Sequence, residues 1–341
     1  MKAMILAAGV GSQLDPLTRS VPKPMAPIVN RPVMEHVINL LKRHGFTDVV
    51  ANVHYLAEQV TEYFGDGSKW GINLQFSHES TLLGMAGGVK KVEDFFDDTF
   101  LVIGGDDLAD IDLTKLVRQH KERKAEASMA LALVKDPSEY GIVLTSERGR
   151  ITRYAEKPKA GSIFSDAANT GIYLFEPSIL DLIPRGIPYD FGDDLFPILV
   201  EQRMPFYGIL TSGYWRDVGN LASYRDAHWD SLSGRVGIRF GARQLRKDVW
   251  VGENVDIHPE AEIEHPVLIG NNCRIGRHAR VLENTVLGAD CVIEENATVR
   301  RSILWEGALV PSGTTLERCV IGRGCRVPPN AAIFDGTIIA A

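Results

Sequence analysis

From Val251 onward an aliphatic residue recurs every six positions: Ile257, Ile263, Ile269, Ile275, Val281, Leu287, Ile293 and Val299. A second frame runs Ile303, Leu309, Thr315, Ile321, Val327, Ile333 and Ile339. Glycine follows the frame directly at 252, 270, 276, 288 and 322. Such a hexad repeat folds as a coil of short parallel strands. Each hexad supplies one face of a triangular prism and three hexads make a turn, which is a left-handed parallel β-helix. The frame slips between Val299 and Ile303, so a bulged corner is expected there.

The four cysteines obey the same repeat. Cys273, Cys291, Cys319 and Cys325 each stand two residues before a frame aliphatic, a slot that Ala261, Ala279, Ala297 and Ala331 fill elsewhere. The slot points inward and takes a small residue, so these cysteines read as small core hydrophobes. No Cys-x-x-Cys spacing supports zinc, and a disulfide is not expected in a reducing compartment.

Ahead of the repeat, strand-like and helix-like segments alternate through residues 1–135. Strands are read at 4–8, 49–53, 72–76, 100–103 and 128–134, with amphipathic helices at 33–44, 56–64, 89–96 and 113–124. This alternation implies an α/β domain with a mostly parallel sheet covered on both faces, whose ligands gather at the carboxyl ends of strands. Residues 136–232 are more mixed: strands at 142–144, 151–154 and 171–175, helices at 194–202 and 221–232. The composition changes after Ser231-Leu232-Ser233-Gly234, which divides the chain into residues 1–232 and 233–341. A length of 341 residues with 45% hydrophobic and 24% charged suits two soluble domains. The net charge of −7 gives no nucleic-acid surface, and no apolar run reaches membrane-spanning length. The opening Met-Lys-Ala-Met-Ile-Leu-Ala-Ala-Gly is too short in its apolar part for a signal peptide, so a cytoplasmic location is expected.

The first strand feeds Gly9-Val10-Gly11-Ser12-Gln13, then Leu14-Asp15-Pro16-Leu17-Thr18, then Pro22-Lys23-Pro24. Glycines let backbone N–H groups approach an anion closely, and Lys23 is a point charge on a stiffened support. No Gly-Lys-Ser/Thr follows, and there is no third glycine at dinucleotide-binding spacing.

Leu6-Ala7-Ala8-Gly9-Val10-Gly11-Ser12-Gln13-Leu14-Asp15-Pro16-Leu17-Thr18 with Pro22-Lys23-Pro24 resembles the opening of the sugar-1-phosphate nucleotidylyltransferases, L-A-A-G-x-G-[S/T]-R-L-x-P-L-T then P-K-P. The resemblance continues along the chain. Glu79 and Leu83-Gly84-Met85-Ala86-Gly87-Gly88 match the base-reading loop, and Gly105-Asp106 the metal-holding Gly-Asp. Tyr140-Gly141, Glu156-Lys157-Pro158 and Asn169-Thr170-Gly171 match the sugar and sugar-phosphate contacts, and Trp215-Arg216-Asp217-Val218-Gly219 the W-x-D-x-G that supplies a second metal ligand. By resemblance, Leu6, Ala7, Ala8, Gly9, Gly11, Ser12, Glu79, Gly84, Met85 and Gly105 bind nucleotide. Gly141, Glu156, Lys157, Asn169 and Gly171 bind the sugar phosphate, and Asp106 and Asp217 hold Mg²⁺. Lys23, position 13 and Asp106 carry the transfer.

The implied reaction joins a nucleoside triphosphate and a sugar-1-phosphate into a nucleoside-diphosphate sugar and pyrophosphate. The attacking phosphate oxygen is already ionised, so the protein must neutralise charge and align phosphates rather than supply a base. The base loop and the β-helix tail look most like mannose-1-phosphate guanylyltransferases, with UDP-glucose or dTDP-glucose pyrophosphorylases as the alternative. Three positions depart from the family: Gln13 replaces an arginine, Met85 a small hydroxyl residue, and Gly104 a larger residue before Gly-Asp. Gln13 motivates a different alternative, a regulatory homologue that binds nucleotide sugar without turnover. A third is an acyl-transferring β-helix using His258, His265 or His278, which read instead as exposed coil residues. Asp107 and Asp110 read as a solvated loop edge. The open edge of the last coil, with Ile333, Phe334, Ile338 and Ile339, implies a homo-oligomer through residues 233–341.

Overall fold

A computed structural model describes residues 1–338, together with every side chain among them except that of Gln13. Ile339, the last position of the second frame, lies outside the described residues, as does the Gln13 side chain. The chain forms two compact units. One comprises residues 1–10, 22–24 and 34–217; the other comprises 11–21, 25–33 and 218–341.

The first unit is built on a nine-stranded sheet. Its strands are β1 (Lys2–Leu6), β2 (Asp48–Val53), β3 (Asn73–His78), β4 (Phe100–Gly104), β6 (Ala127–Leu133), β7 (Ile142–Thr145), β8 (Ile151–Ala155), β9 (Ala167–Phe175) and β10 (Phe206–Leu210); β5 (Asp107–Asp110) and β11 (Tyr214–Asp217) form a separate antiparallel pair. In the sheet β3, β2, β1 and β4 run parallel, and β9 then joins β4 antiparallel. The order continues through β7 and β8, while β6 pairs with β9 and β10. Ala3, Met4, Ile5 and Leu101–Ile103 are fully buried, as a strand covered on both faces requires, which is why these strands read as unbroken apolar runs. The helices are α1 (Val33–Arg43), α2 (Ala57–Phe64), α3 (Gly84–Lys91), α4 (Leu113–Glu122) and α5 (Phe196–Glu201).

Two local readings change. The helix expected at 89–96 starts at Gly84 and ends at Lys91, so the glycines of the base loop form its first turns. The helix expected from Asp194 is preceded by a π-turn over Phe191–Leu195, entered from Asp190, whose Oδ1 accepts the Gly192 N–H at 3.0 Å. Among the described residues no helix is long and apolar enough to cross a membrane.

In the second unit α6 (Leu221–Leu232) starts from a capping box made by Asn220 and Ser223 and precedes the β-helix. The coil consists of three parallel sheets whose strands recur once per turn. The upper turns take 18 residues, as Val249 pairs with Val267 and Val267 with Thr285. The lower turns take 17, as Leu287 pairs with Leu304, Leu304 with Ile321, and Ile321 with Ile338. The slip after Val299 is therefore a corner shortened by one residue, not a bulge. It recurs once per turn, so the inward frame runs Leu304, Val310, Leu316, Ile321, Val327, Ile333 and Ile338. Ile303, Leu309 and Thr315, taken as frame positions from the sequence, are each one residue early. Corner residues take left-handed backbone, among them Asn284 (φ 57°), Arg301 (φ 47°), Arg318 (φ 54°) and Asp335 (φ 54°), which lie one coil apart. Cys273, Cys291, Cys319 and Cys325 are buried inside the coil and form no disulfide, and Cys273 Sγ donates to Gly288 O at 3.0 Å.

The corrected frame has a direct consequence. Leu316→Ala empties a fully buried coil position and is expected to cost about 2–5 kcal/mol, whereas the half-exposed Leu309→Ala is expected to cost less than about 1 kcal/mol, measured by urea unfolding.

Candidate active site

The C-terminal ends of β1 and β4 and the β5–β11 pair bring one ammonium and three carboxylates together. Backbone pairing sets Asp107 opposite Asp217. Lys23, in a 3₁₀ turn between Pro22 and Pro24, is 8% exposed. Its ammonium makes a close ion pair with Asp106 and lies 3.7 Å from Asp217 Oδ1. Burial pulls the Lys23 pKa down, but Asp106 and Asp217 outweigh it and hold the group above its ordinary value, fully charged.

Asp107 is not a solvated loop residue. It is buried, and burial followed by the charges of Asp106 and Asp217 raises its pKa well above the carboxylate range. Asp217 is also raised, by burial, against the opposing pull of Lys23. Asp110 is half-buried and accepts from Arg43 Nη1 at 2.7 Å. The backbone gives way to this cluster: a Cβ on Gly104 would lie 2.7 Å from Asp107 Oδ2 and 2.9 Å from Asp106 Oδ1. That accounts for the missing larger residue. Gly105 donates to Leu6 O at 2.8 Å, and a Cβ there would crowd Ile5 and Ala7 at 3.1 Å and 3.3 Å.

Two carboxylates converging on one cation are a hard-oxygen donor set that fits a divalent ion. Among the described residues no group of three or more His, Cys, Asp or Glu side chains could hold a metal by itself. The remaining ligands would therefore be substrate phosphates and water, the usual arrangement for small divalent ions at phosphate sites.

The base-loop residues form one connected network. Ala7 N–H donates to Asn52 Oδ1 at 2.8 Å, Asn52 Nδ2 to Glu79 Oε1 at 2.8 Å, and Leu83 N–H to Glu79 Oε2 at 3.0 Å. Glu79 is buried with both oxygens engaged, so it fixes the loop rather than presenting a free carboxylate. Gly84 (φ +71°) packs against the Tyr189 carbonyl, Gly87 N–H donates to the same carbonyl at 3.0 Å, and Tyr189 N–H returns a bond to Leu83 O at 2.8 Å. Met85 is exposed beside them on the first turn of α3.

The residues expected at the sugar phosphate form a second network. The Glu156 carboxylate accepts from Tyr154 OH in a close bond and lies against the backbones of Gly141 and Gly192, where a Cβ would come within 2.8 Å and 2.6 Å of Oε2. Asn169 donates from Nδ2 to Tyr173 OH at 2.9 Å and accepts the Gly171 N–H at 2.9 Å; its own N–H donates to Gly141 O at 2.8 Å. Gly171 (φ +74°) faces Asp107 Oδ2, which joins this network to the carboxylate cluster. Lys157 is exposed, with left-handed backbone (φ 36°), and its charge acts on Asp217.

The Gly11–Arg19 loop closes on itself. Gly11 is left-handed (φ 72°), and its carbonyl accepts from Thr18 Oγ1 at 2.8 Å and from Leu14 N–H at 3.1 Å. Ser12 is exposed, and Arg19 makes a two-point contact with Asp15. Arg216 Nε donates to Tyr214 OH at 3.0 Å.

Asn52, Asp107, Tyr154, Tyr173, Tyr189 and Gly192 escaped the sequence reading. Asn52 had a signal, being the polar residue inside the apolar Val49–Val53 run. Tyr154 stands two residues before Glu156, so strand alternation puts both on one face. Gly192 and Tyr189 act through backbone and had none.

Comparison with known proteins places this geometry. A nucleotidyl transferase family model matches residues 2–234, and the model of the EIF2B subunit epsilon left-handed β-helix domain matches residues 246–341. A UTP–glucose-1-phosphate uridylyltransferase of Synechocystis sp. is 39% identical over 98% of this chain and 90% of its own length. A mannose-1-phosphate guanylyltransferase of Arabidopsis thaliana is 30% identical over 99% of this chain and 86% of its own. The crystal structure of a protein assigned as a glucose-1-phosphate thymidylyltransferase from Bacillus anthracis, in complex with a sucrose, superposes with TM-score 0.63 at 27% identity, covering 71% of this chain and 97% of that one. Enzymes of this kind take a nucleoside triphosphate and a sugar-1-phosphate as substrates and use a divalent metal. The chain is an enzyme of the sugar-1-phosphate nucleotidylyltransferase family, a nucleotidyltransferase domain followed by a left-handed β-helix.

Proposed function

We propose that this enzyme makes UDP-glucose from UTP and glucose-1-phosphate, with Mg²⁺ as its metal. The base and sugar follow the Synechocystis relative, the most identical of the proteins compared above. The second reading, GDP-mannose from GTP and mannose-1-phosphate, is supported by the Arabidopsis relative and by the Leu83–Gly88 loop.

The observation that carries the mechanism is the buried Lys23 ammonium between Asp106 and Asp217. Asp106 and Asp217 would hold Mg²⁺, which supplies positive charge to the reacting phosphates. Lys23 contributes a fixed charge beside them and keeps both carboxylates from repelling each other. Gly9, Gly11 and Ser12 offer backbone N–H groups to the triphosphate, and the strand end Leu6-Ala7-Ala8 with Gly105 forms the surface against which the nucleotide lies. Glu79 fixes Gly84 and Met85 at the base. Gly141 and Gly171 offer backbone to the sugar, Glu156 and Asn169 offer their side chains, and Lys157 takes the sugar phosphate. No proton has to move, so positioning and charge do the work.

The same reading divides the chain at residues 232 and 233 and assembles a homo-oligomer through the β-helix, where Phe334 is 57% exposed on the last coil. The buried cysteines, none of them in a disulfide, support a reducing, cytoplasmic setting.

Pyrophosphate release, measured over four nucleoside triphosphates and common sugar-1-phosphates, should peak with UTP and glucose-1-phosphate and vanish in Asp106→Asn. A peak with GTP and mannose-1-phosphate selects the second reading, and Mg²⁺-dependent turnover unchanged in Asp106→Asn removes the metal assignment. Gly104→Ala pushes a methyl into both carboxylates and is expected to weaken Mg²⁺ activation by about tenfold or more, the effect of about 1.4 kcal/mol. At position 13 a glutamine offers a neutral amide where an arginine would offer charge. Arg19 is already committed to Asp15 and Arg216 to Tyr214. Gln13→Arg is therefore expected to raise kcat by about tenfold with nucleotide affinity little changed; an unchanged kcat would show that position 13 has no part in the transfer.

A further inference from the structure

The two segments that carry Lys23 and Asp217 leave the carboxylate cluster and enter one hydrogen-bonded junction within the second unit. Four residues after Lys23 comes Pro27, in a hairpin of Pro27–Ile28 paired with Arg31–Pro32. Four residues after Asp217 begins α6. Tyr224 of α6 donates its hydroxyl to Pro27 O at 2.6 Å, and Trp305 of the β-helix donates its indole N–H to Tyr224 at 2.8 Å. His228, one turn further along α6, lies 3.0 Å through Nε2 from the same Pro27 O and 3.3 Å through Nδ1 from Val29 N–H. Both bonds form at once only when Nε2 carries the proton and Nδ1 accepts. Asn30 Nδ2 then donates to Leu287 O at 2.7 Å.

These contacts hold a hairpin that would not keep its shape alone. Val29 (φ 44°) and Asn30 (φ 68°) are both left-handed, and for a β-branched valine that conformation is costly. Ala26, Ile28, Val29, Tyr224 and His228 are buried, and Trp305 nearly so. A strained turn persists only where its surroundings over-determine it, and here the surroundings are α6 and the coil.

We propose that Tyr224 and His228, backed by Trp305, are positioning residues for Lys23: by clamping the hairpin that follows it along the chain they fix the backbone into which the Lys23 turn runs. The inference rests on Lys23 being the cation that serves the transfer. It gives the β-helix a part in catalysis that requires no ligand of its own.

The test compares full-length Tyr224→Phe with Trp229→Phe. Both remove a hydrogen-bonding group from α6: the Tyr224 hydroxyl, which bonds Pro27 O and accepts from Trp305, and the Trp229 indole N–H, lost with part of its ring, which bonds Asn284 O in the coil. Melting temperatures should fall alike in the two variants. With the active substrate pair and Mg²⁺, Tyr224→Phe is expected to lose about tenfold or more in kcat with both KM values within about twofold, while Trp229→Phe keeps wild-type kcat, since a small misplacement of a charged group acts on the chemical step. Wild-type kcat in Tyr224→Phe, or an equal loss in Trp229→Phe, overturns the proposal. If Tyr224→Phe does not fold, Trp305→Phe removes the bond that orients the tyrosine hydroxyl, together with part of a buried ring, and its kcat is read the same way. Lys23→Ala separates the two levels. Undiminished turnover there removes the role of Lys23 itself, whereas loss of turnover there with wild-type kcat in Tyr224→Phe removes only the clamp.

Discussion

One ammonium facing three carboxylates is the constraint on which the catalytic unit depends. Like charges this close cannot all ionise in a buried setting, and the structure answers in two ways. Asp107, the most buried, is pushed toward its neutral form, while Asp106 and Asp217 share Lys23. A single lysine then leaves negative charge in surplus, and a divalent ion is what that surplus suits. The backbone carries the same imprint, because Gly104 and Gly171 are glycines where a side chain would meet the Asp107 carboxylate.

The cluster exists because of register. In the β5–β11 pair Asp107 faces Asp217, and a slip of one residue would turn every side chain of one strand to the other face. The glycines at the end of β4 and the turn at Lys23 then approach from the carboxyl ends of the parallel strands. There, loops from different strands meet, which is where an α/β sheet binds its ligands.

The glycine loop, the Gly105-Asp106 and Asp217 motifs and the hexad repeat were legible in the sequence, because each depends on residue type at fixed spacing. Asp107 was not. Asp106-Asp107-Leu108-Ala109-Asp110 has the composition of a wet loop, and only its pairing with residues 214–217 makes it a buried strand. The lower coil misled for a different reason. Ile303-Leu304 and Leu309-Val310 are adjacent aliphatics, so either member satisfies the pattern, and the five-residue step at each third corner leaves no mark in composition. The second network was half legible: Glu156 and Asn169 are motif residues, but Tyr154, Tyr173 and Gly192 hold them through geometry that no spacing reveals.

The second network is held by hydrogen bonds between groups that burial keeps in one protonation state. Burial, with the Tyr173 and Glu156 groups adding to it, pushes the Tyr154 hydroxyl far above its ordinary pKa, so it stays a donor to Glu156. Burial likewise keeps Tyr173 protonated, with Asn169 bonded to its hydroxyl. Asn169 spends its carbonyl on Gly171 N–H and its backbone on Gly141, so its remaining freedom is small. The π-turn at Phe191–Leu195 brings Gly192 against the Glu156 carboxylate. A reaction that needs no proton transfer gains most from groups already in place. The cost of ordering them falls on the fold, through the stacked rings of Phe175, Phe191 and Phe196, against which Tyr173 packs edge-on.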